Sequence, residues 1–123
     1  MTNRASLDQT LRHFDPDDSD HRPVIAWRIE VEQNDAEQPV HMHRKGQLIM
    51  ALHGGVTCEV PKAMWMVPPH HAVWIPGGMP HSNRATDNAR IYFLFIDLAA
   101  ARMPQECCTI EISAMVREMI KYL

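Results

Sequence analysis

His41-Met42-His43-Arg44-Lys45-Gly46-Gln47 and, further along, Pro76-Gly77-Gly78-Met79-Pro80-His81 decide how this chain is read. Together the two stretches supply three imidazoles and one amide oxygen, separated by strand-like sequence. His41 and His43 stand at i and i+2, so a strand carrying both presents both on one face. His81 arrives from a distant strand. A small β-barrel builds an interior pocket in this way.

Working outward, short apolar runs recur between turn residues. They cover 24–31, 40–43, 47–52, 56–60, 64–67, 72–75, 81–84, 89–96 and 108–112. Asn34-Asp35, Lys45-Gly46, Gly54-Gly55, Pro61, Pro68-Pro69, Pro76-Gly77-Gly78 and Asp87-Asn88 punctuate them. The run over 89–96 is the strongest, being rich in aromatic and β-branched residues. Many short strands at near-regular spacing predict a sandwich or barrel. No internal repeat is visible.

The two ends differ from this middle. Residues 1–22 carry Asp15, Asp17, Asp18 and Asp20 with few large apolar groups, which predicts a mobile acidic tail, His13 and His21 in it being solvated. Residues 113–123 switch to helical spacing. Ser113 is a suitable N-cap, and Met115, Val116, Met119, Ile120 and Leu123 form one apolar stripe. A terminal helix packed on its own barrel and a dimerising or linking helix both fit that stripe. Residues 23–112 remain as the barrel domain.

Bulk properties narrow the function classes. At 123 residues the chain is one domain's worth, and a net charge of −3 with scattered Lys and Arg leaves no nucleic-acid footprint. Three cysteines, Cys58 and the adjacent Cys107-Cys108, are not a disulfide framework. The first residues are polar, unlike a secretory leader. The longest apolar run, near residues 91–98, is too short to cross a bilayer and contains Asp97. These features predict a reduced, cytoplasmic protein with no membrane partner.

The phrases HMHRKGQLIMALHGGVTCEV, AMWMVPPHHAVWIPGGMPHSN, ARIYFLFID and CCTIEISAMVREMIKYL resemble the N-terminal sensor domain of an AraC-type transcriptional regulator. The two boxes, His41-x-His43-x3-Gln47 and Pro76-x-Gly78-x2-His81, resemble those of the cupin superfamily. The wording is close to a subgroup that includes regulators of efflux and drug-resistance genes, and it spans roughly residues 24–123. The resemblance implies an all-β, double-stranded β-helix (jelly-roll) fold ending in an amphipathic helix. It also implies a small-molecule effector, a homodimer, and promoter DNA bound through a C-terminal domain. AraC-type regulators usually carry about 100 further residues with two helix-turn-helix units. This chain contains none, so the expectation is a sensor piece or a free-standing cupin.

By that resemblance His41, His43, Gln47 and His81 correspond to the four metal-ligand positions of cupins. Metal-dependent cupin enzymes commonly have Glu where Gln47 stands. Three imidazoles and an amide suit Zn²⁺, Ni²⁺ or a similar divalent ion and leave it with its full charge, which favours an anionic ligand. The same four groups also describe a metal-free polar lining. Trp65 and Trp74 complete the candidate pocket as stacking surfaces, although a core role fits them and Trp27 equally well. Met42, Met50, Met64 and Met66 read as core or as a deformable lining. His53, His70 and His71 read as loop histidines. No nucleophile constellation or phosphate-cradling loop stands out, so no catalytic residue is assigned and the chain is expected not to be an enzyme. A small metal-dependent cupin enzyme, a dioxygenase or isomerase, is the alternative.

Overall fold

A computed structural model describes residues 3–5, 22–31 and 36–123. Among the described residues, ten strands and one helix follow in order: β1 (Asn3–Ala5), β2 (Val24–Glu30), β3 (Ala36–His41), β4 (Gly46–His53), β5 (Val56–Val60), β6 (Ala63–Met66), β7 (His71–Ile75), β8 (His81–Ala85), β9 (Arg90–Ile96), β10 (Cys108–Glu111) and α1 (Ala114–Lys121). They form a six-stranded sheet, β1-β2-β9-β4-β7-β10, and a four-stranded sheet, β3-β8-β5-β6. The chain passes back and forth between the sheets, which is the jelly-roll topology expected from the sequence. Every pairing among these strands except the parallel β1–β2 is antiparallel.

Side-chain alternation explains the layers. Ile25, Ile29, Ile49, Val73, Ile75, Ile91, Phe93 and Phe95 leave one face of the six-stranded sheet. They meet Val56, Cys58 and Ala85 from the four-stranded one. The opposite face of the six-stranded sheet carries Leu48, Met50, Trp74, Tyr92, Leu94 and Ile96, covered by Ile112 and by Ile120 of α1. Strand β9 therefore has six consecutive buried residues, because both its faces are covered. Strands β5 and β8 alternate, since their outer face is open to solvent.

Helix α1 starts where its sequence predicts. The Ser113 hydroxyl accepts the Val116 N–H at 3.2 Å. Only Ile120 is buried, whereas Met115, Met119 and Tyr122 are exposed.

Two expectations need correcting. Residues 3–5, read as part of the acidic tail, pair as β1 along β2. A backbone ladder needs no apolar side chains, so hydropathy gave no sign of it. Residues 1–2 and 6–21 of that tail, with His13 and His21, lie outside the described residues. The second correction concerns His41 and His43, which do not share a strand. β3 starts earlier, at Ala36, its ladder is irregular between Gln38 and His41, and it ends at His41. Pro39 has no N–H to give that ladder, which fits an irregularity there. His43 lies in the segment joining β3 to β4.

Candidate metal centre

The two histidine boxes are joined through their backbones. The Gly78 N–H donates to the His43 carbonyl at 2.8 Å. Gly77 lies so close to this segment that a Cβ on it would stand 2.0 Å from the Arg44 carbonyl oxygen. Glycine is required there by contact rather than by dihedral angle. On the far side of β4, Gly46 leaves room for the Trp74 ring, whose nearest carbon would be 2.1 Å from an added Cβ.

One ring nitrogen each from His41, His43 and His81 lies within 4.8 Å of the others. Ring centroids are 4.4 Å apart for His41–His81, 5.0 Å for His43–His81 and 5.8 Å for His41–His43. His43 and His81 are buried, and His41 is half-buried. Each imidazole is oriented by a local carbonyl. Nδ1–H donates from His41 to Pro39 O at 2.7 Å, from His43 to Lys45 O at 2.6 Å, and from His81 to Met79 O at 2.8 Å. Phe95 meets the His43 ring edge-on at 5.1 Å. A proton fixed on Nδ1 leaves each Nε2 with a bare lone pair, the form a metal ligand needs.

Gln47 joins this cluster. Its Oε1 lies 3.1 Å from His43 Nε2 and 3.0 Å from His81 Nε2. With Nδ1 protonated, both contacts set acceptor against acceptor, which is unfavourable without something positive between them. Imidazolium is a poor answer at His81. Burial first, then the neighbouring His41 and His43, lower its pKa to about 3, against the opposing pull of its bond to Met79. Burial also lowers His41. Two solutions remain. The amide can turn end for end so that its NH₂ donates to both rings, or a cation can sit among the four groups. Donors at about 2.1 Å from one ion and at right angles are about 3.0 Å apart, a spacing the two Gln47 contacts match; the three ring nitrogens, within 4.8 Å of one another, would draw in on binding.

The remaining sequence candidates divide between faces. Trp65 faces the interior core across from Cys58, and its buried indole N–H has no hydrogen-bond partner among the described residues. Trp74, expected in the pocket, lies on the other side of its sheet. It pairs in register with Leu48, whereas Gln47 pairs with Ile75. The one-residue offset reverses its direction, and its N–H donates to Pro104 O at 2.7 Å. Met50 is core, but Met42, Met64 and Met66 are exposed and not in the core. His53 is exposed at the opposite end of β4 from Gln47. His70 lies in the β6–β7 turn, where Arg117 of α1 approaches its Nδ1 at 3.2 Å.

The sequence reading missed Asn83 and Gln38. Both are buried and linked by an Asn83 Nδ2–H···Oε1 Gln38 bond of 2.8 Å, while Asn83 Oδ1 is buried without a partner among the described residues. Asn83 lies two residues beyond His81 on β8, so the same alternation that faces His81 inward also faces Asn83 inward. Register places Gln38, Asn83, Cys58 and Trp65 in one row across the four-stranded sheet. Cys58 and Cys107 offer little reactivity. Burial and thiol neighbours push Cys58 up to about 12 and Cys107 up to about 11.

Comparison with known proteins bears on these features. No family model matches the chain. Over 110 residues, 89% of the chain, it is 52% identical to the HTH-type transcriptional regulator NimR of Escherichia coli (strain K12). It spans 40% of that regulator's length. Among solved structures, an apo ToxT variant from Vibrio cholerae strain SCE256 superposes with a TM-score of 0.61 at 4% identity, covering 86% of this chain and 49% of that one. A single-site variant of Bacillus subtilis oxalate decarboxylase superposes with a TM-score of 0.52 at 15% identity, covering 66% and 23%. At such identities these structures speak for the fold alone, a cupin jelly roll. Among the described residues no helix is long and apolar enough to cross a membrane.

Proposed function

The chain has the cupin fold and is a homologue of part of an HTH-type transcriptional regulator, and from that premise we propose that it is the effector-sensing and dimerising domain of an AraC-type regulator. In this reading His41, His43, Gln47 and His81 hold a divalent transition ion such as Zn²⁺ or Ni²⁺ at the mouth of the barrel. The observation that carries the metal is the convergence of His41, His43 and His81, one ring nitrogen each within 4.8 Å of the others, with the Gln47 amide 3.0 and 3.1 Å from two of them. Bound there, the ion would act as a Lewis acid toward an anionic small molecule. The four neutral donors offset none of its charge, and that favours an anion.

Trp65 N–H and Asn83 Oδ1 support the sensing role. A buried donor and a buried acceptor without partners each cost about 1–3 kcal/mol, and an effector that supplies partners recovers that cost. His41, His43, Gln47, His81 and Trp65 form the proposed ligand pocket. Trp74 is not part of it. Exposed Met115 and Met119 on α1, with Tyr122 at its C-cap, support a dimer contact, and effector binding would shift the equilibrium between arrangements of the helices. Promoter DNA would be contacted by another part of the regulator, in the cytoplasm. The barrel domain is taken as 23–112 and the coupling helix as starting at 113.

The test is titration of Ni²⁺ and Zn²⁺ into the chelator-treated intact protein at pH 7.5. One equivalent should bind, His43→Ala should abolish binding, and Gln47→Glu should tighten it by tenfold or more through the added negative charge. Absence of saturable binding to the unaltered protein sinks the metal reading and leaves the turned amide as the resting state. The alternative, a metal-dependent cupin enzyme, draws on the decarboxylase of the same fold, for which Mn(II) centres are described. It predicts turnover of a small carboxylic acid by the metal-loaded Gln47→Glu variant, where the sensor reading predicts binding without turnover.

A further inference from the structure

The outer face of the four-stranded sheet carries a feature that the barrel interior does not explain. Residues 37–40, Thr57, Glu59, Met64 and residues 82–84 line a trough of about 420 Å³ there, within the range of about 300–1,000 Å³ that small-molecule sites occupy. Register gives its layout in two rows. Glu37, Arg84, Thr57 and Met66 form one row across β3, β8, β5 and β6. Ser82, Glu59 and Met64 form the next, with Val40 toward the β3 edge. Arg84, Ser82, Thr57 and Glu59 stand in the middle, Met64 and Met66 on the β6 side, and Glu37 with Val40 on the β3 side. Val40 is 72% exposed, Met64 68% and Met66 73%, so the apolar sides are mostly open among the described residues.

Charge identifies an occupant. Arg84 is engaged by Glu37 in an ion pair. The Glu59 carboxylate, two residues along β5 from Thr57 of that row, makes no ion pair or hydrogen bond among the described residues. Among the described residues, two carboxylates against one guanidinium leave the trough with one uncompensated negative charge, beside thioethers that are polarisable and adapt their shape. An anion would meet Glu59 unscreened, and a neutral hydrocarbon would leave Glu59 partly desolvated without a partner.

We propose that the trough between Met64 and Val40 is a binding site for a small amphipathic organic cation, its charged end at Glu59 and its apolar body along Met64 and Val40. The site is separate from the histidine cluster. Ser82 and Asn83 alternate across β8, one lining the trough and the other facing the interior, so an occupant of the trough is separated from the barrel interior by one thickness of sheet.

The test uses the intact protein labelled with [methyl-¹³C]methionine, with benzyltrimethylammonium chloride as the probe and sodium benzenesulfonate as its anionic counterpart. The Met64 ε-methyl resonance, assigned through Met64→Leu, should shift saturably with the cation and not with the anion. Glu59→Gln should weaken the cation about tenfold, the effect of removing one partly screened charge pair. Equal responses to the two probes overturn the proposal, as does an unaltered affinity in Glu59→Gln. A Met64 methyl that responds to neither probe, because another protein segment or a second copy already covers the trough, overturns it as well.

Discussion

His81 makes an acid-stability experiment quantitative. Its imidazole is almost fully buried and held neutral, with its pKa lowered from 6.5 to about 3, chiefly by burial. In the unfolded chain the ring is in water and titrates near 6.5. Between the two values the unfolded state binds the proton and the folded state does not, so stability rises with pH across the window and falls as pH drops through it. At pH 7 the folded form is little penalised. At pH 5 the unfolded imidazole is almost fully protonated while the folded one remains neutral. The difference is about 2 kcal/mol lost between pH 7 and 5, from about 1.36 kcal/mol per pH unit once the unfolded ring is titrating. The full shift, reached only below pH 3, corresponds to about 5 kcal/mol. His41, lowered in the same direction, adds to the loss. Most carboxylates titrate below pH 5, so urea unfolding of chelator-treated protein at pH 7, 6 and 5 isolates the imidazoles. The wild-type midpoint should fall steadily, and His81→Asn should remove about 2 kcal/mol of the pH dependence. The same pH dependence in His81→Asn, or an NMR titration in which native His81 protonates near pH 6.5, would refute the reasoning.

Two further expectations concern packing. Gly46→Ala forces a methyl into the Trp74 ring. Both are buried, so the variant should be destabilised by about 1–3 kcal/mol, read as a lowered thermal midpoint; an unchanged midpoint would mean the ring moves freely. Met119→Lys places a charge on the exposed stripe of α1, whereas Ile120 of the same helix is buried against the barrel. Analytical ultracentrifugation should show weaker dimers for Met119→Lys with an unchanged circular dichroism spectrum, and dimers that persist at low micromolar concentration count against the helix as the contact.

The sequence by itself determined the local matters. Alternating short runs between Gly and Pro set nearly every strand to within a residue or two, because side-chain period and turn chemistry are properties of neighbouring residues. Ser113 and the apolar stripe set the start of α1 for the same reason, and two histidine boxes in the right order gave the cluster of His41, His43, Gln47 and His81. Tertiary structure decided which way groups face and which distant backbones meet. Trp74 and Ile75 differ by one position, yet strand register sends one to the outer layer and the other inward. His43 reaches the cluster from outside β3 because Gly78, thirty-five residues away, binds its carbonyl. The inward row from Gln38 to Trp65, the acceptor-to-acceptor contacts at Gln47 and the trough beside Glu59 depend on cross-strand pairing. Pairing joins residues far apart in the chain, and local pattern carries no record of it.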